Sequence, residues 1–302
     1  MSFLLSLLNQ KHARAGADAP AGCVVRELSE ADRAETTALL STEPLRTVQL
    51  LGLIGDYGMS SPALRGRFYG YFENHSLAGV ALLGHAMMIY TLPEAETAAL
   101  EHFARKAVEI KARGHVIFGP RAQVEKFSEH LTRHGRVKRM ESRHHWCIAT
   151  SARLPLQSLQ LRRANLDELE SLAAAQAEMI LETSGVDPRE SDAEGFLRRT
   201  AERIERKRTW VRLADGKVIF KVEVVCETAE TVYLEGVWTH PEWRNQGIAK
   251  SCMNELLHRL LQQKSSVCLA VSPEETPACR VYHQIGFAHL EDFLACYLNP
   301  LE

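Results

Sequence analysis

An α/β (α+β) chain built from two similar domains in tandem, each a twisted, mixed but mostly antiparallel sheet flanked by helices, is what this sequence predicts. Three observations point there. The chain has 302 residues, room for two domains of roughly 150 residues each. The order strand, two helices, three strands, helix, strand, helix, strand can be read along it twice. One local phrase recurs at the same place in that order: Thr91-Leu92-Pro93-Glu94 follows the first run of three strands and Thr239-His240-Pro241-Glu242 the second. Sequence identity between the halves is otherwise slight.

In the first half an alternating strand at 24–28 precedes Ser29, an N-cap with Asp32 at the third helical position, and a helix to Leu40. Pro44 starts a second helix. Segments 67–72, 77–83 and 86–90 are rich in aromatic, β-branched and Leu residues; Asn74-His75 and Gly84-His85 break them into a meander. A helix over 93–112 has Leu100, Phe103, Ala107 and Ile110 along one face and stops at Gly114. A strand at 115–118, a helix at 121–134 and a strand near 144–148 complete the set. The second half repeats it: strand 161–164, a helix capped by Asn165 or Asp167, a helix at 192–207, strands at 209–213, 218–225 and 231–238, a helix at 247–263, strand 266–271, helix 277–285 and strand 288–298. Asp215-Gly216 is a hairpin turn. The expected domains are therefore 23–152 and 158–302, after a flexible or docking leader at 1–22. That leader is apolar at Phe3, Leu4, Leu5, Leu7 and Leu8, but Lys11 and Arg14 follow the run, the reverse of a signal peptide.

Hydrophobic residues make up 45% and charged residues 25% of the chain, as in a soluble globular protein. The net charge of -2 offers no electrostatic case for nucleic acid or an anionic membrane. No stretch approaches the roughly 18 apolar residues of a membrane span. Seven cysteines, an odd number without a C-x-x-C spacing, read as buried free thiols in a reducing, cytoplasmic setting.

The most informative segment runs from Tyr233 to Leu257. A strand ends at Thr239, a short Pro-containing loop follows, and Arg244-x-x-Gly247-x-Ala249 opens an amphipathic helix. A helix N-terminus presents unpaired N–H groups and the positive end of its dipole. Gly247 and Ala249 leave a phosphate room to approach, and Arg244 adds charge. The same two residues also suit close packing at a strand–helix joint. Downstream lies Ala278-x-x-x-Tyr282-x-x-x-Gly286-Phe287.

Together, R-x-x-G-x-A and A-x-x-x-Y-x-x-x-G-F resemble the GNAT superfamily of acyl-CoA N-acyltransferases, and the stretch from Glu235 to Arg244 resembles the second domain of bacterial tandem GNAT proteins. Glu43-Pro44 and Phe118-Gly119-Pro120 resemble their degenerate first domain. The resemblance implies that Val237, Trp238 and Thr239 pair their backbone with the pantetheine arm. It implies that Asn245, Gln246, Gly247, Ile248, Ala249 and Lys250 offer N–H groups to the pyrophosphate, and that Tyr282 protonates the leaving thiolate. The family's asparagine seven residues before that tyrosine is Glu275 here, a substrate-side candidate that either attracts an amine or faces solvent.

Acyl transfer needs a neutral, aligned amine and a base. Glu235, then Glu223, are the candidates. Alternation puts Glu235 on the face of Val237; a solvated strand carboxylate is the competing reading for both. No metal is expected: His144, His145 and Cys147 sit on one strand, where neighbours point to opposite faces. The basic stretch with Arg133, Arg136, Lys138, Arg139 and Arg143 reads as a solvated face or as a contact for an acidic ligand. Arg198, Arg199, Arg203 and Arg206 read as partners of Glu202 and Glu205 within one helix. After Thr91 the first half has no glycine and adds Glu96, so one cofactor site per chain is expected. The reading is an N-acetyltransferase using acetyl-CoA or a similar acyl-CoA on a small-molecule or peptide amine, in a monomer or homodimer. A non-catalytic acyl-CoA-binding or sensor protein is the alternative.

Overall fold

The computed structural model describes residues 22–156 and 161–300; nearly all of the expected leader lies outside them. The first half comprises β1 (Cys23–Glu27), α1 (Arg33–Leu40), α2 (Pro44–Tyr57), β2 (Gly66–Glu73), β3 (Ser76–Gly84), β4 (Ala86–Thr91), α3 (Glu96–Glu109), β5 (Val116–Pro120), α4 (Arg121–Arg133) and β6 (Lys138–Ala149). The second repeats it with β7 (Arg162–Arg163), α5 (Leu169–Ser184), α6 (Pro188–Glu205), β8 (Thr209–Ala214), β9 (Lys217–Glu227), β10 (Thr231–Thr239), α7 (Ile248–Leu261), β11 (Ser266–Val271), α8 (Thr276–Ile285) and β12 (Ala288–Leu298).

Each half starts with the same device. The backbone N–H of Ser29 donates to Asp32 at 2.8 Å, and that of Asn165 donates to Glu168 at 2.8 Å. Each of these carboxylates also takes an arginine six residues upstream, Arg26 at 2.6 Å and Arg162 at 3.0 Å. The helix expected from 192 starts earlier, at Pro188, with Asp192 in a non-helical conformation inside it. Asp192 accepts from the Gly195 N–H at 3.0 Å and so caps the straight part.

The strands join into one sheet in the order β1-β2-β3-β4-β5-β12-β6-β11-β10-β9-β8-β7. The last strands of the halves are exchanged. β12 pairs with β5, β6 pairs with β11, and β6 and β12 pair antiparallel at the centre. The cores follow: Leu294, Cys296 and Leu298 of β12 pack with Phe103 and Phe127, while Cys147 and Ala149 of β6 pack with Met253 and Tyr282. Across the seam Trp146 stacks on Phe293 with ring centroids 4.4 Å apart and on Tyr233 at 4.9 Å. α2 also leans on the second half's sheet, so closely that a Cβ on Gly52 would lie 2.5 Å from Cys226 Cβ. The seven cysteines are free. Among the described residues no helix is long and apolar enough to cross a membrane.

Candidate functional site

The parallel ladder of β10 and β11 is short. It runs from Thr231↔Ser266 to Leu234↔Leu269 and stops. Beyond it β10 continues to Thr239 along β9, while β11 continues to Val271 along β6. The two strands therefore part, and among the described residues the edge of Glu235, Gly236, Val237, Trp238 and Thr239 that faces away from β9 has no ladder partner. An extended polar chain can add to such an edge by backbone hydrogen bonds.

The opening leads to the loop before α7. A 3-10 turn at Pro241–Trp243 is followed by Arg244, by Asn245 at φ 61° and by Gly247 at φ 77°. Both left-handed residues turn backbone N–H groups in a way that most L-residues disfavour. Nothing lies within 4 Å of where a Gly247 Cβ would sit. The close-packing reading of Gly247 is thereby removed; its conformation, not a neighbour, asks for glycine. The first bond of α7 runs from Ser251 N–H to Gly247 O at 3.0 Å, which leaves the N–H groups of Ile248, Ala249 and Lys250 without an intrahelical acceptor. Arg244 is half-exposed; its Nε donates to Thr239 O at 3.1 Å, and it stands 3.8 Å from Glu182.

The alternation expected along β10 is broken. Glu235 opposes Glu223, but Trp238 opposes Lys221, so β10 has one residue more than β9 over this stretch. Gly236, at φ 64°, makes the bulge. Glu235 consequently does not share the face of Val237. Val237 packs on the α7–α8 side, whereas Trp238 packs with α5. Opposite the bulge lies a buried ionic group that the sequence analysis did not assemble. Lys221 is fully buried and donates to Gly236 O at 3.1 Å, to Glu223 at 3.2 Å and to Gln176 of α5. Glu223 takes Arg203 of α6 on its other oxygen at 2.7 Å. Arg203 is thus tied to a strand and not to a helix neighbour, although Arg206 does pair with Glu202. A signal existed: Lys221 and Glu223 stand two apart in an otherwise apolar run, hence on one face of a strand.

These surroundings separate the two carboxylates. Burial pushes Glu223 up, but the charges of Lys221 and Arg203 outweigh it and hold the carboxyl below its ordinary range. Both its oxygens are engaged, so it is poorly placed to accept a substrate proton. Glu235 is reached by solvent although protein surrounds it. That enclosure raises its pKa, with Glu223 adding, against the Tyr233 hydroxyl (2.5 Å) and Arg203.

Tyr282 is buried on α8, edge-on to Phe287 with centroids 5.8 Å apart. Burial, with smaller contributions from Glu275, Cys279 and Cys147, raises its hydroxyl well above the usual phenol range. It therefore remains a proton donor at neutral pH. Glu275 stands immediately before α8 and is open to solvent, but neighbouring protein partly encloses its carboxyl and raises its pKa too. His144 and Cys147 do not join a metal-ligand cluster among the described residues. His145 does meet His289 and Asp292 from β12, with candidate ligand atoms within 4.8 Å of one another. The His289–Asp292 hydrogen bond of 2.9 Å and the bulge between His289 and Glu291 account for that grouping.

Residues 169–287 match the model of the acetyltransferase (GNAT) family. No match was found among the curated proteins. Among solved structures, the chain resembles an acetyltransferase from the GNAT family of Colwellia psychrerythraea at TM-score 0.58 and 14% identity, over 91% of this chain and 100% of that one. It resembles a GCN5-related N-acetyltransferase from Sphaerobacter thermophilus at TM-score 0.55 and 16% identity, over 94% and 97%. A tandem GNAT protein from the clavulanic acid biosynthesis pathway aligns at TM-score 0.57 and 12% identity, over 93% and 100%. At such identities the structural likeness speaks for the fold over most of the chain, and the family match speaks for the segment 169–287, which contains both the parted strands and the loop: that segment is similar to the acetyltransferase (GNAT) family, and the chain has the fold of GNAT proteins.

Proposed function

We propose that this protein is an N-acetyltransferase that moves an acyl group from acetyl-CoA, or a similar acyl-CoA, to a primary amine by direct attack in a ternary complex. The observation that carries this reading is the parting of β10 and β11 onto a loop with two left-handed residues. Val237, Trp238 and Thr239 hold the pantetheine amides. Asn245, Gln246, Gly247, Ile248, Ala249 and Lys250 meet the pyrophosphate, with Arg244 adding charge. The amine nitrogen attacks the thioester carbon and the C–S bond breaks. Glu235, through water, takes the amine proton, and Tyr282 gives its own to the departing sulfur. Glu223 keeps the bulge in place by fixing Lys221 and is a positioning residue. We read the chain as two domains, near 23–152 and 158–302, with one cofactor site in the second.

Single-turnover transfer from labelled acetyl-CoA to a panel of amines tests the reaction, with calorimetry for binding. Binding without transfer to any amine would leave the sensor reading, which the carboxylate of Glu275 in the amide's place favours. No binding would end both. Glu235→Gln should lower turnover by about a hundredfold or more with little change in acetyl-CoA affinity. The base acts ionised and its pKa is raised. Activity should therefore fall, on acidification, at a pH above the ordinary carboxylate range, and Glu235→Gln should flatten that limb. An unchanged acid limb would remove Glu235 from the mechanism.

A further inference from the structure

On the first half, away from the acyl-CoA loop, a cleft of about 310 Å³ is lined by Arg65, Gly84, His85 and Arg113. The ionisable groups of that lining are all basic, and the carboxylate that acts on Arg65, Asp192, is already paired with Arg199. Among the described residues neither Arg65 nor Arg113 makes an ion pair. Among the described residues the Arg65 side chain makes a polar contact with His85 Nδ1, at 3.2 Å. The His85 ring lies 4.5 Å from that of His115. Outside the cleft lining, Arg136 is buried and donates to Ala112 O at 2.8 Å, Arg113 O at 2.9 Å and Gly114 O at 3.2 Å. It fixes the turn that carries Arg113 and His115, yet it too has no carboxylate partner among the described residues. Arg199 of α6 adds a further cation, already paired with Asp192 at 2.9 Å.

The second half shows what this position looks like when balanced. Arg65 stands immediately before β2, and Arg208 stands immediately before β8. Arg208 is clamped by Asp56 of α2, at 2.7 Å through Nη2, with Glu227 3.7 Å away. α2 thus brings a carboxylate to the second half's arginine, whereas α6 brings Arg199 toward the first half's. One carboxylate, Asp192, is shared between Arg199 and Arg65, and like charges that outnumber their counter-charges cost stability. Burial, with smaller contributions from Arg65, His115, Arg199 and Arg113, pushes His85 down to about 4.

We propose that this cleft binds a compact, multiply charged oxyanion of the phosphate class, free or carried on a small molecule, between Arg65, His85 and Arg113. Two guanidinium forks match such an anion bidentately. The neutral His85 ring holds Arg65 in place and can gain a proton when the anion arrives. The basic, His-rich segment from Arg133 to His145 is thereby resolved in part. Arg136 is no solvated residue but the buried brace of the turn that carries Arg113.

The test is thermal unfolding and calorimetry of the full chain with inorganic phosphate and with glycerol phosphate, against sodium chloride at matched ionic strength. Phosphate should raise Tm beyond chloride and saturate. Arg65→Gln and Arg113→Gln should each weaken binding roughly tenfold, the loss of one charge-assisted contact. Arg67→Gln, which removes an exposed cation paired with Glu27, should not. Without phosphate, Arg65→Gln should be as stable as the parent or more so, because repulsion is relieved; a merely structural arginine would lower Tm instead. Tighter binding of glycerol phosphate marks a phosphorylated small molecule as the ligand, and the reverse order marks the free ion. A phosphate effect equal to that of chloride, or one retained in both cleft variants, overturns the proposal. None of these readouts involves acyl transfer.

Discussion

The two halves run almost in step until the fourth strand of each ends, and there they part. In the first half Thr91 leads through a 3-10 turn at Pro93–Ala95 directly into α3, with Ala95 and Glu96 in right-handed helical conformations. Glu96 is held by Lys126 at 2.6 Å. The Thr91 hydroxyl is buried and takes the Gln123 amide from α4 at 3.1 Å. In the second half the same 3-10 turn is followed by Arg244, Asn245, Gln246 and Gly247 before α7 begins, two of them left-handed. The ladder before it differs as well: β3 and β4 pair without a shift, whereas β9 and β10 shift register between Tyr233 and Leu234 and again at the Gly236 bulge. One fold thus carries a closed strand–helix joint and an open one. The difference is four residues, two register shifts in the ladder and the buried lysine that braces the one at Gly236.

The brace is where the comparison can be broken most violently. Lys221→Ala would leave Glu223 buried beside Arg203 alone and the Gly236 carbonyl without its donor. Removing one partner of a buried ion pair costs about 3–5 kcal/mol, which urea denaturation should show as a lower midpoint with an unchanged slope. A loss within the range of a surface substitution, about 0.5 kcal/mol, would mean that the bulge holds itself.

The loop is next. Gly247→Val asks a β-branched residue to adopt φ 77° and adds a methyl pair over the first N–H groups of α7. Ligand at a hundred times its dissociation constant stabilises a protein by about 2.7 kcal/mol, and that increment should vanish. Acetyl-CoA raising the Tm of Gly247→Val as it raises the parent's would detach the loop from cofactor binding. Gln123→Ala probes the closed joint. It leaves the buried Thr91 hydroxyl unpaired and should cost about 1 kcal/mol. It should not create a second acyl-CoA site, because Glu96 still occupies the helix start and no left-handed residue precedes it. A stoichiometry of two in calorimetry would show that only the Gln123–Thr91 contact keeps the first half from binding.

Much of this was legible in the chain. The element order, Ser29 with Asp32, Asn165, the Asp215-Gly216 hairpin and Gly247 are local signals, each set by neighbours within a few residues. The exchange of β6 and β12 was not. An alternating strand states which faces are apolar but not which sheet edge it joins, and the two halves have equivalent edges. The face of Glu235 was misread for a related reason: alternation assumes a regular strand, and Gly236 inserts one residue. Lys221, Gln176 and Arg203 come from three elements, so only their pairing across the sheet reveals them. The turn held by Arg136 lies 22 to 24 residues upstream of it, at Ala112, Arg113 and Gly114, a separation that makes a buried arginine look like part of a basic surface.

The smallest effects test whether the halves share one opening device. Arg26 with Asp32 and Arg162 with Glu168 have the same six-residue spacing and the same backbone bond, to Ser29 and Asn165. Arg26, bonded to Asp32, holds that carboxyl below the usual range; burial opposes the same effect on Glu168, where Arg162 still prevails. A carboxylate whose folded pKa is depressed contributes stability above its unfolded value, near 4, and loses it as pH falls through the folded one. Both arginines are more than a third exposed, so screening limits each pair, cap included, to about 1 kcal/mol. Asp32→Asn and Glu168→Gln should each cost about that much at pH 7 and progressively less below pH 4 or so. The loss should be greater for Asp32, whose depression is less opposed by burial. Equal costs at pH 7 and pH 3 would show that the two sites act through the neutral cap alone. The shared spacing would then reflect common backbone geometry without a shared ion pair.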